Sequence, residues 1–490
     1  MGDELQGRRV AIIGAGIGGL AEAIALSRLG AEVVLVERDD TPMPDDVEAA
    51  FEWDRRGAPQ VRHTHGFPAL IRMVLRDRYP DVLQALRDAG VHEVSIVPPI
   101  VEPGTAYFDE IADDLQVLAC RRTTLEWVLR RCALAEPNVS LVVGVGASGL
   151  LGERPDADGP LVVRGVALED GTELLADVVV ASTGRRADVP AWFAAHGVEV
   201  PEDEHPTGTV YLSRFYRTPP DREAPMGYQG GRRAGLGYVL AGADAGTYSA
   251  TLVVDNGDAE LRAHLLDEDR FEAVLPLFNV FEPVLAMGGE PITPVETMGG
   301  LINRIRRFRG PDGAPVAHGF FAIGDAHTCT NPLYGRGSSL AVLQAVLVAD
   351  ALRDHPDDAG AAADAYESAS AAKVEPWYDV SLMTDLAAAK AAEPRQEPAP
   401  SDERPAADAG ASAAPRLDLA TLRRIAGSGD PELAVLVTKT MSLLLTPAEV
   451  FGDPAVLEKL ANAAAVDRPV DPNKPKRPPL TREQILTAGR

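Results

Sequence analysis

The amino-acid sequence predicts an α/β fold in three parts: a parallel sheet wrapped by helices, an inserted antiparallel β-sheet and a helical C-terminal segment. In the first half, apolar runs of strand length, such as 161–168, alternate with amphipathic runs of helix length, such as 69–89 and the run from Thr123, as in a parallel sheet covered by helices. From about Gly208 the apolar pattern changes to a period of two, in TVYLSRFYR (209–217) and TYSATLVVD (247–255), which indicates antiparallel strands. Beyond Lys373 the pattern is helical again, with runs around 417–426 and 433–445 after the Ala/Pro-rich segment.

The chain begins with a glycine-rich turn between an apolar strand and a helix, VAIIGAGIGG (10–19). In such a turn the first glycine permits the tight bend, the second lets the backbone approach a pyrophosphate, and the last lets the helix pack on the strand. A second apolar run, AEVVLVE, ends at Glu37, where a carboxylate can accept hydrogen bonds from a ribose. We therefore predict a Rossmann-like unit that binds a dinucleotide through Gly14, Gly16, Gly18, Gly19, Glu37 and Arg38.

A related pattern returns about 300 residues later, in FFAIGDAHTCTNPLYGRGSSL (320–340). A strand is followed by Gly324 and Asp325, then by a loop with Gly335 and Gly337, and then by a long helix. Free N–H groups at the start of a helix attract phosphate and other anionic oxygens. We therefore expect this segment to rejoin the first domain, which gives four regions: 1–190 and 311–372 for the nucleotide-binding domain, 191–310 for the inserted substrate domain, and 373–490 for the helical C-terminal region, with a flexible Ala/Pro-rich segment at 393–416.

The composition narrows the function classes. The chain has 490 residues with 47 basic and 73 acidic side chains, a formal net charge of −26, which argues against nucleic acid as a partner. It has no apolar run of about 18 residues, so stable membrane insertion is not expected. Three cysteines without metal-ligand spacing fit a reducing, cytoplasmic location, and no metal is expected.

Three further segments carry a resemblance to a known family. They are RRGAPQVRHTHGF (55–67), CRRTTLEWVLRR (120–131) and ADVVVASTGRRADVPAWF (176–193). With the two glycine motifs, they resemble the FAD-binding halves of class A flavoprotein monooxygenases and of their epoxidase, halogenase and prenyl reductase relatives, most closely the actinobacterial polyether epoxidases. The resemblance extends to about residue 380.

The resemblance implies FAD as cofactor, with Arg122, Gly324, Asp325, Gly335 and Gly337 around its ribityl and ring half. It implies a flavin C4a-(hydro)peroxide that passes one oxygen atom from dioxygen to an apolar small molecule, by epoxidation or hydroxylation in secondary metabolism. The electron source that it implies is NAD(P)H or a separate flavin reductase. Relatives that bind NAD(P)H directly usually carry Asp-Gly where this chain has Thr183 and Gly184.

Three alternative functions remain at this point. A reductase or dehydrogenase of an isoprenoid-like substrate would keep the same cofactor motifs. A flavin halogenase is disfavoured because it needs a tunnel lysine, and no lysine precedes Lys373. A non-enzymatic prenyl-protein escort would lack the phosphate-binding glycines that are intact here.

The sequence identifies candidate substrate-binding residues less clearly than cofactor-binding residues. His63 and His65 alternate in a run that could be a strand, which would place both on one face; they would shape the edge of the pocket, or be ordinary loop residues. Tyr211, Phe215 and Tyr248 on the inserted sheet would line a substrate cavity or form the core of the sheet. His327 would contact a ligand or make a buried hydrogen bond. No side chain is assigned as catalytic.

Overall fold

The computed structural model describes residues 3–156, 159–392, 429–465 and 480–489. Its α-helices are Ile17–Arg28, Ala69–Arg78, Pro80–Asp88, Ala106–Ile111, Arg122–Ala135, Val189–Ala194, Ala259–Leu266, Glu268–Val274, Glu282–Ala286, Gly337–Asp354, Ala359–Lys373, Glu375–Ala392, Pro431–Met441, Pro447–Phe451, Pro454–Ala465 and Arg482–Thr487. Its strands are Arg9–Ile13, Glu32–Glu37, His92–Ser95, Gln116–Ala119, Val139–Val143, Ala147–Glu153, Leu161–Leu168, Glu173–Leu175, Val178–Ala181, Glu202–Pro206, Thr209–Arg217, Tyr228–Arg233, Leu236–Gly242, Thr247–Asp255, Glu290–Pro291, Glu296–Met298, Ile302–Arg306, Ala317–His318, Phe320–Ala322 and Thr328–Cys329.

A five-stranded parallel sheet forms the centre of the first domain. Its strand order is Phe320–Ala322, Val178–Ala181, Arg9–Ile13, Glu32–Glu37 and Val139–Val143. The strand from residue 320 therefore lies in the same sheet as the first strand, as expected from the second glycine motif. Both glycine-rich turns follow strands at the carboxyl edge of this sheet, which is where ligands bind in open α/β folds.

The inserted antiparallel sheet contains the two strands that the period of two predicted. Thr209–Arg217 pairs along its whole length with Thr247–Asp255, and the hairpin Tyr228–Gly242 extends the sheet on one side. One face packs on the helices between residues 259 and 286, which the sequence did not predict, in a core that includes Phe271, Phe278 and Phe281. The other face is directed towards the nucleotide-binding domain, so the sheet covers the edge of the candidate site.

Helices form the described part of the C-terminal region. Glu375–Ala392 packs against the strand Ile302–Arg306. Ile485 and Leu486, in the short helix Arg482–Thr487, join the core of the inserted domain. The segment 393–416 and a helix expected at Leu417–Ala426 lie outside the described residues, and the domain boundaries remain a prediction.

Two details differ from the sequence interpretation. The amphipathic run from Ala69 to Ala89 forms two helices rather than one, because Pro80 has no N–H to donate and begins a new helix. Residues 63–65 follow a short helical turn and form no strand, so His63 and His65 are not held on one face by strand alternation.

Candidate functional site

A cavity of about 530 Å³ lies at the carboxyl edge of the parallel sheet. This volume is within the range of about 300–1,000 Å³ that is usual for small-molecule and cofactor sites. Ten of the eleven predicted cofactor residues line it: Gly14, Gly16, Gly18, Glu37, Arg38, Arg122, Gly324, Asp325, Gly335 and Gly337. The exception is Gly19, which packs behind the turn.

The geometry of the first turn explains why three of its positions are glycine. Gly14 has φ +103°, and a Cβ there would lie 2.3 Å from the carbonyl oxygen of Ser182. A Cβ on Gly19 would lie 2.0 Å from the carbonyl oxygen of Gly14, so only glycine allows the helix to pack this closely. A Cβ on Gly16 would meet nothing within 4 Å. The space beside Gly16 is therefore open towards the cavity.

Glu37 is buried and held by the turn itself. Its Oε2 accepts a hydrogen bond from the backbone N–H of Ala15 at 3.0 Å, and its Oε1 accepts one from Asp39 N–H at 3.0 Å. This places the carboxylate on the wall of the cavity, with Oε1 retaining capacity for a further donor.

Arg55 is a site residue that the sequence analysis did not single out. It is 3% exposed and donates to Glu126 Oε1 at 2.6 Å, to Asp39 Oδ2 at 3.1 Å and to Glu37 Oε2 at 3.3 Å. One guanidinium thus joins three buried carboxylates from two parts of the chain. The sequence offered one signal for Arg55, its place in the segment 55–67 that carries the family resemblance. A single arginine in a sequence does not reveal its partners, however.

The second glycine loop forms the opposite wall. Gly324 and Gly335 have φ +59° and +64°, a backbone conformation that favours glycine. The helix Gly337–Asp354 begins directly after this loop, and no side chain caps its first N–H groups. The helix Ile17–Arg28 at the first turn also has no side-chain cap. Two uncapped helix N-termini therefore adjoin one cavity, and both favour bound anionic oxygens.

Arg122 and Asp325 form the polar part of the wall between the two turns. Burial raises the pKa of Asp325 above its usual value, whereas the nearby cation of Arg122 acts in the opposite direction. Arg122 pairs with Glu126 at 3.5 Å, and its buried Nε has no hydrogen-bond partner. A buried donor without a partner carries a free-energy cost that a ligand oxygen would remove.

These residues fit the FAD that the resemblance implies. The open space beside Gly16 suits a pyrophosphate, Glu37 suits the adenosine ribose, and Arg122 Nε offers an unused donor near Asp325. The cavity extends between the two glycine loops, as an extended dinucleotide requires.

A second, much smaller cavity of about 20 Å³ lies next to the first, under the inserted sheet. Thr64, Gly66 and Pro332 line both cavities. The sheet face here carries hydroxyl groups: Ser213 lies 2.7 Å from Thr251 (Oγ to Oγ1) and 3.0 Å from His63 (Oγ to Nδ1). The wall beside the larger cavity is therefore more polar than expected for a site that binds an apolar substrate.

The two predicted histidines occupy different places. His65 lines the larger cavity, and burial, with a smaller contribution from Arg122, lowers its pKa to about 3. His63 lines the smaller cavity, and burial lowers its pKa to about 4. Both imidazoles are therefore neutral at neutral pH.

The aromatic residues on the inserted sheet divide by strand alternation. Tyr211 lines the smaller cavity. Phe215 shares that face of the strand but packs edge-on against Phe51, with 5.5 Å between ring centroids, and lines neither cavity. Tyr248 stacks on Tyr216 at 5.0 Å in the core on the opposite face, so it is a core residue, the alternative that the sequence left open.

Two other polar residues have structural partners. Arg38 lines the outer end of the larger cavity and pairs with Glu169. His327 is fully buried beside Phe308 and Tyr366, hydrogen-bonds Thr328 and lines neither cavity. It therefore fits the buried hydrogen-bonding role rather than ligand contact.

The described residues contain neither a metal-binding group nor a membrane-spanning helix. No group of three or more His, Cys, Asp or Glu side chains in that part of the chain is arranged to hold a metal ion. Over the same residues, no helix combines the length and the apolar character needed to span a membrane.

Comparison by sequence gives a short match at the first motif. The sequence model of the pyridine nucleotide-disulphide oxidoreductase family matches residues 9–52, which contain the first strand, the glycine turn and Glu37. No curated protein matches the chain.

Comparison by structure covers most of the chain. PqsL from Pseudomonas aeruginosa, described as a probable FAD-dependent monooxygenase, superposes with a TM-score of 0.55 at 17% identity, over 78% of this chain and 96% of its own. PqsL in complex with 2-aminobenzoylacetate gives 0.56 at 19% identity over the same shares. The flavin-dependent brominase Bmp2 gives 0.58 at 14% identity, over 93% of this chain and 98% of its own. The chain therefore has the fold of the FAD-dependent monooxygenases, which confirms the expected fold class and, at the level of the fold, the resemblance.

Proposed function

We propose that this protein is an FAD-dependent monooxygenase that transfers one oxygen atom from dioxygen to a small organic molecule. The observation that carries the proposal is the single cavity between two glycine loops and two uncapped helix N-termini, in a chain with the fold of FAD-dependent monooxygenases. Epoxidation or hydroxylation of an apolar terpenoid, polyketide or aromatic compound is the specific reaction proposed. A reducing, cytoplasmic location is part of the proposal, supported by three unpaired cysteines.

The residues of the first turn would hold the adenosine half of the cofactor. Gly16 leaves room for the pyrophosphate, whose charge the helix Ile17–Arg28 favours. Glu37, fixed by Ala15 N–H and Arg55, would accept hydrogen bonds from the ribose hydroxyls.

The residues of the second loop would orient the other half. Asp325 and Arg122 would bind the ribityl chain, and the N–H groups at the start of the helix Gly337–Asp354 would meet the oxygens of the ring. The chemistry that bound FAD would supply is activation of dioxygen by its reduced ring. The protein contributes position and exclusion of water, for which the inserted sheet covers the site.

Substrate would enter between the inserted sheet and the second glycine loop. The smaller cavity holds about one water molecule, so a substrate must widen it. The hydroxyl groups of Ser213 and Thr251, with neutral His63, would hydrogen-bond an oxygen or nitrogen atom on an otherwise apolar substrate.

The test begins with the purified protein and FAD. We expect a yellow protein that retains one FAD per chain and whose flavin is reduced either by NADH or NADPH directly or by an added flavin reductase. Turnover is then measured under ¹⁸O₂ with a panel of terpenoid, polyketide and aromatic compounds. A product that contains one labelled oxygen supports the proposal, and the reaction under argon is the control.

Other products would identify the rival activities. An unlabelled product that differs from the substrate by two hydrogens would show a reductase or dehydrogenase. A product that forms only with added bromide or chloride would show a halogenase, the activity named for Bmp2. A folded protein that binds no FAD would contradict the proposal as a whole.

A further inference from the structure

The helix Glu375–Ala392 contacts the second glycine loop through one of its faces. Trp377, Ser381 and Asp385 are spaced by four residues, which places them one above another on a helix. All three contact residues between Asn331 and Arg336. This part of the chain follows the last cofactor motif and has no role in the site described above.

Asp385 accepts hydrogen bonds from three residues on two other segments. Asn303 Nδ2, on the strand Ile302–Arg306, donates to Oδ2 at 2.7 Å. Asn331 Nδ2 donates to Oδ1 at 2.9 Å and to Oδ2 at 3.0 Å. Tyr334 OH donates to Oδ1 at 2.8 Å. An ionised carboxylate accepts several donors at once, and such charge-assisted hydrogen bonds are stronger than neutral ones.

Asn331 connects this carboxylate to the inserted sheet. It is 1% exposed, and its backbone N–H donates to Asn303 Oδ1 at 2.8 Å. Its own Oδ1 accepts hydrogen bonds from Leu333 N–H and from the Tyr211 hydroxyl, which is the cavity-facing tyrosine of the inserted sheet. The contact of Asp385 with Asn331 therefore links the loop of the cofactor cavity to the wall of the smaller cavity.

The helix Glu375–Ala392 also contacts Arg336, the residue that precedes Gly337. Arg336 is buried and donates to Ser381 Oγ at 2.6 Å, and its guanidinium lies between the rings of Tyr334 and Trp377, 4.7 Å and 5.2 Å from their centroids. The loop is therefore fixed at both ends, at Asn331 by Asp385 and at Arg336 by Ser381. Pro332 and Gly335 lie between these two points, and Gly337 follows the second. All three line the cofactor cavity.

We propose that Asp385 is a positioning residue for the cofactor site: its carboxylate fixes Asn331 and Tyr334, and through them sets the loop from Pro332 to Gly337 against the flavin ring and Tyr211 against the substrate. The helix Glu375–Ala392 is thus part of the cofactor-binding unit. This inference rests on the proposed function, since it assumes that FAD occupies the cavity.

The experiment compares Asp385→Asn with Asp379→Asn in the full-length protein. Asp379 lies on the same helix but is exposed, so its substitution makes the same change of charge away from the loop. The dissociation constant for FAD is measured by flavin fluorescence on stripped protein, and the visible circular dichroism of bound FAD reports the surroundings of its ring. We expect at least tenfold weaker binding and an altered spectrum for Asp385→Asn, and neither change for Asp379→Asn.

A double substitution tests the hydrogen-bond pattern itself. Asp385→Asn combined with Asn331→Asp reverses donor and acceptor: one N–H of the new amide at 385 donates to the new carboxylate at 331. The amide oxygen still accepts from Asn303 Nδ2, and the other amide N–H donates to the Tyr334 hydroxyl, which accepts instead of donating. That carboxylate still accepts from Leu333 N–H and the Tyr211 hydroxyl. We expect the double variant to bind FAD within about threefold of the wild type, with the wild-type spectrum. A role in general stability alone would not restore the spectrum in this way.

The outcomes separate this inference from the proposed function. Wild-type protein that binds FAD, together with an unchanged Asp385→Asn variant, would overturn the positioning role and leave the proposed function intact. Wild-type protein that binds no FAD would overturn both. If Asp385→Asn does not fold, the double variant decides: affinity within threefold supports the inference, and affinity tenfold or more below the wild type overturns it.

Discussion

The two ends of the large cavity are built in different ways. The first end, around Gly14 and Glu37, is made mostly within residues 9–57, with contributions from Glu126, from Ser182 beside Gly14 and from Glu169 beside Arg38. The second end, around Asp325 and Gly335, depends on a strand at 302–306, the helix Glu375–Ala392 and the inserted sheet. The first end is thus specified by local sequence, whereas the second is specified by contacts between distant segments.

This difference shows where each end can fail. At the first end, backbone geometry and a buried group of charges leave little tolerance, because a Cβ on Gly19 has no space and Arg55 balances three carboxylates. At the second end, side-chain hydrogen bonds hold a loop whose backbone would otherwise be free to shift. Substitutions at the first end should therefore impair folding or abolish FAD binding. Substitutions at the second end should change the affinity for FAD or the pH dependence of stability.

The largest effect is expected for Arg55→Ala. Removal of this guanidinium leaves Glu37, Asp39 and Glu126 buried without their common partner, and breaking a buried ionic group costs about 3–5 kcal/mol. Urea unfolding followed by circular dichroism measures the loss. The neighbouring Arg56, which is 72% exposed, is the control, and Arg56→Ala should change the unfolding free energy by less than about 0.5 kcal/mol. If Arg55→Ala lowers the unfolding free energy by less than about 1 kcal/mol, the buried ion pairs of Arg55 contribute little to stability.

A second test separates folding from binding at the first end. Gly16 has φ −85° and ψ −174°, which valine adopts readily, and an added Cβ meets no protein atom. Gly16→Val should therefore fold normally but weaken FAD binding by at least about 100-fold, or about 2.7 kcal/mol, because the side chain takes the place of the pyrophosphate. The ratio of flavin to protein after purification gives the result.

Gly149 offers a matched control for that substitution. It also has open space at its Cβ position and lies outside the cavity, so Gly149→Val should keep its flavin. Normal flavin content in folded Gly16→Val would mean that the pyrophosphate lies elsewhere.

The smallest effect concerns the region between the second end and the inserted sheet. Burial lowers the pKa of His63 to about 4, below the value near 6.5 expected in the unfolded chain. Between pH 6.5 and 4 the unfolded state therefore binds a proton that the folded state does not, so stability falls as the pH falls. His63→Gln should reduce this slope by up to about 1.4 kcal/mol per pH unit. Unfolding free energies at several pH values measure the slope, and the exposed His92→Gln is the control. Parallel curves for the wild type and His63→Gln would show that His63 titrates normally.

The sequence predicted the first end well because its signal is local. The helix from Ile17, the strand that ends at Glu37 and the need for glycine at 14 and 19 all follow from residues next to one another. The helix Arg122–Ala135 and the strand Leu161–Leu168 were equally clear from their patterns. Periodicity is a property of neighbouring residues, so elements with strong patterns are predictable from one sequence.

The remaining features depend on which distant residues meet. The strand pattern of residues 209–217 does not say which face covers the cavity, so the core position of Tyr248 was open until its partner Tyr216 was known. Arg55 and Asp385 are ordinary charged residues in the sequence, and only the fold brings their partners to them. The three helices after residue 258 were missed because they are short, and short helices depend on packing more than on propensity.

The helix Arg482–Thr487 has a consequence for biosynthesis. Ile485 and Leu486 complete the core beneath a sheet whose strands end near residue 298, and Arg482 pairs with Asp258 and Glu260 on the same domain. During translation, therefore, the core behind the sheet that covers the cavity remains incomplete until the ribosome has passed residue 486. Until then the core that includes Phe271 lacks two of its apolar side chains, so the inserted domain would complete its packing only once residue 486 has been made.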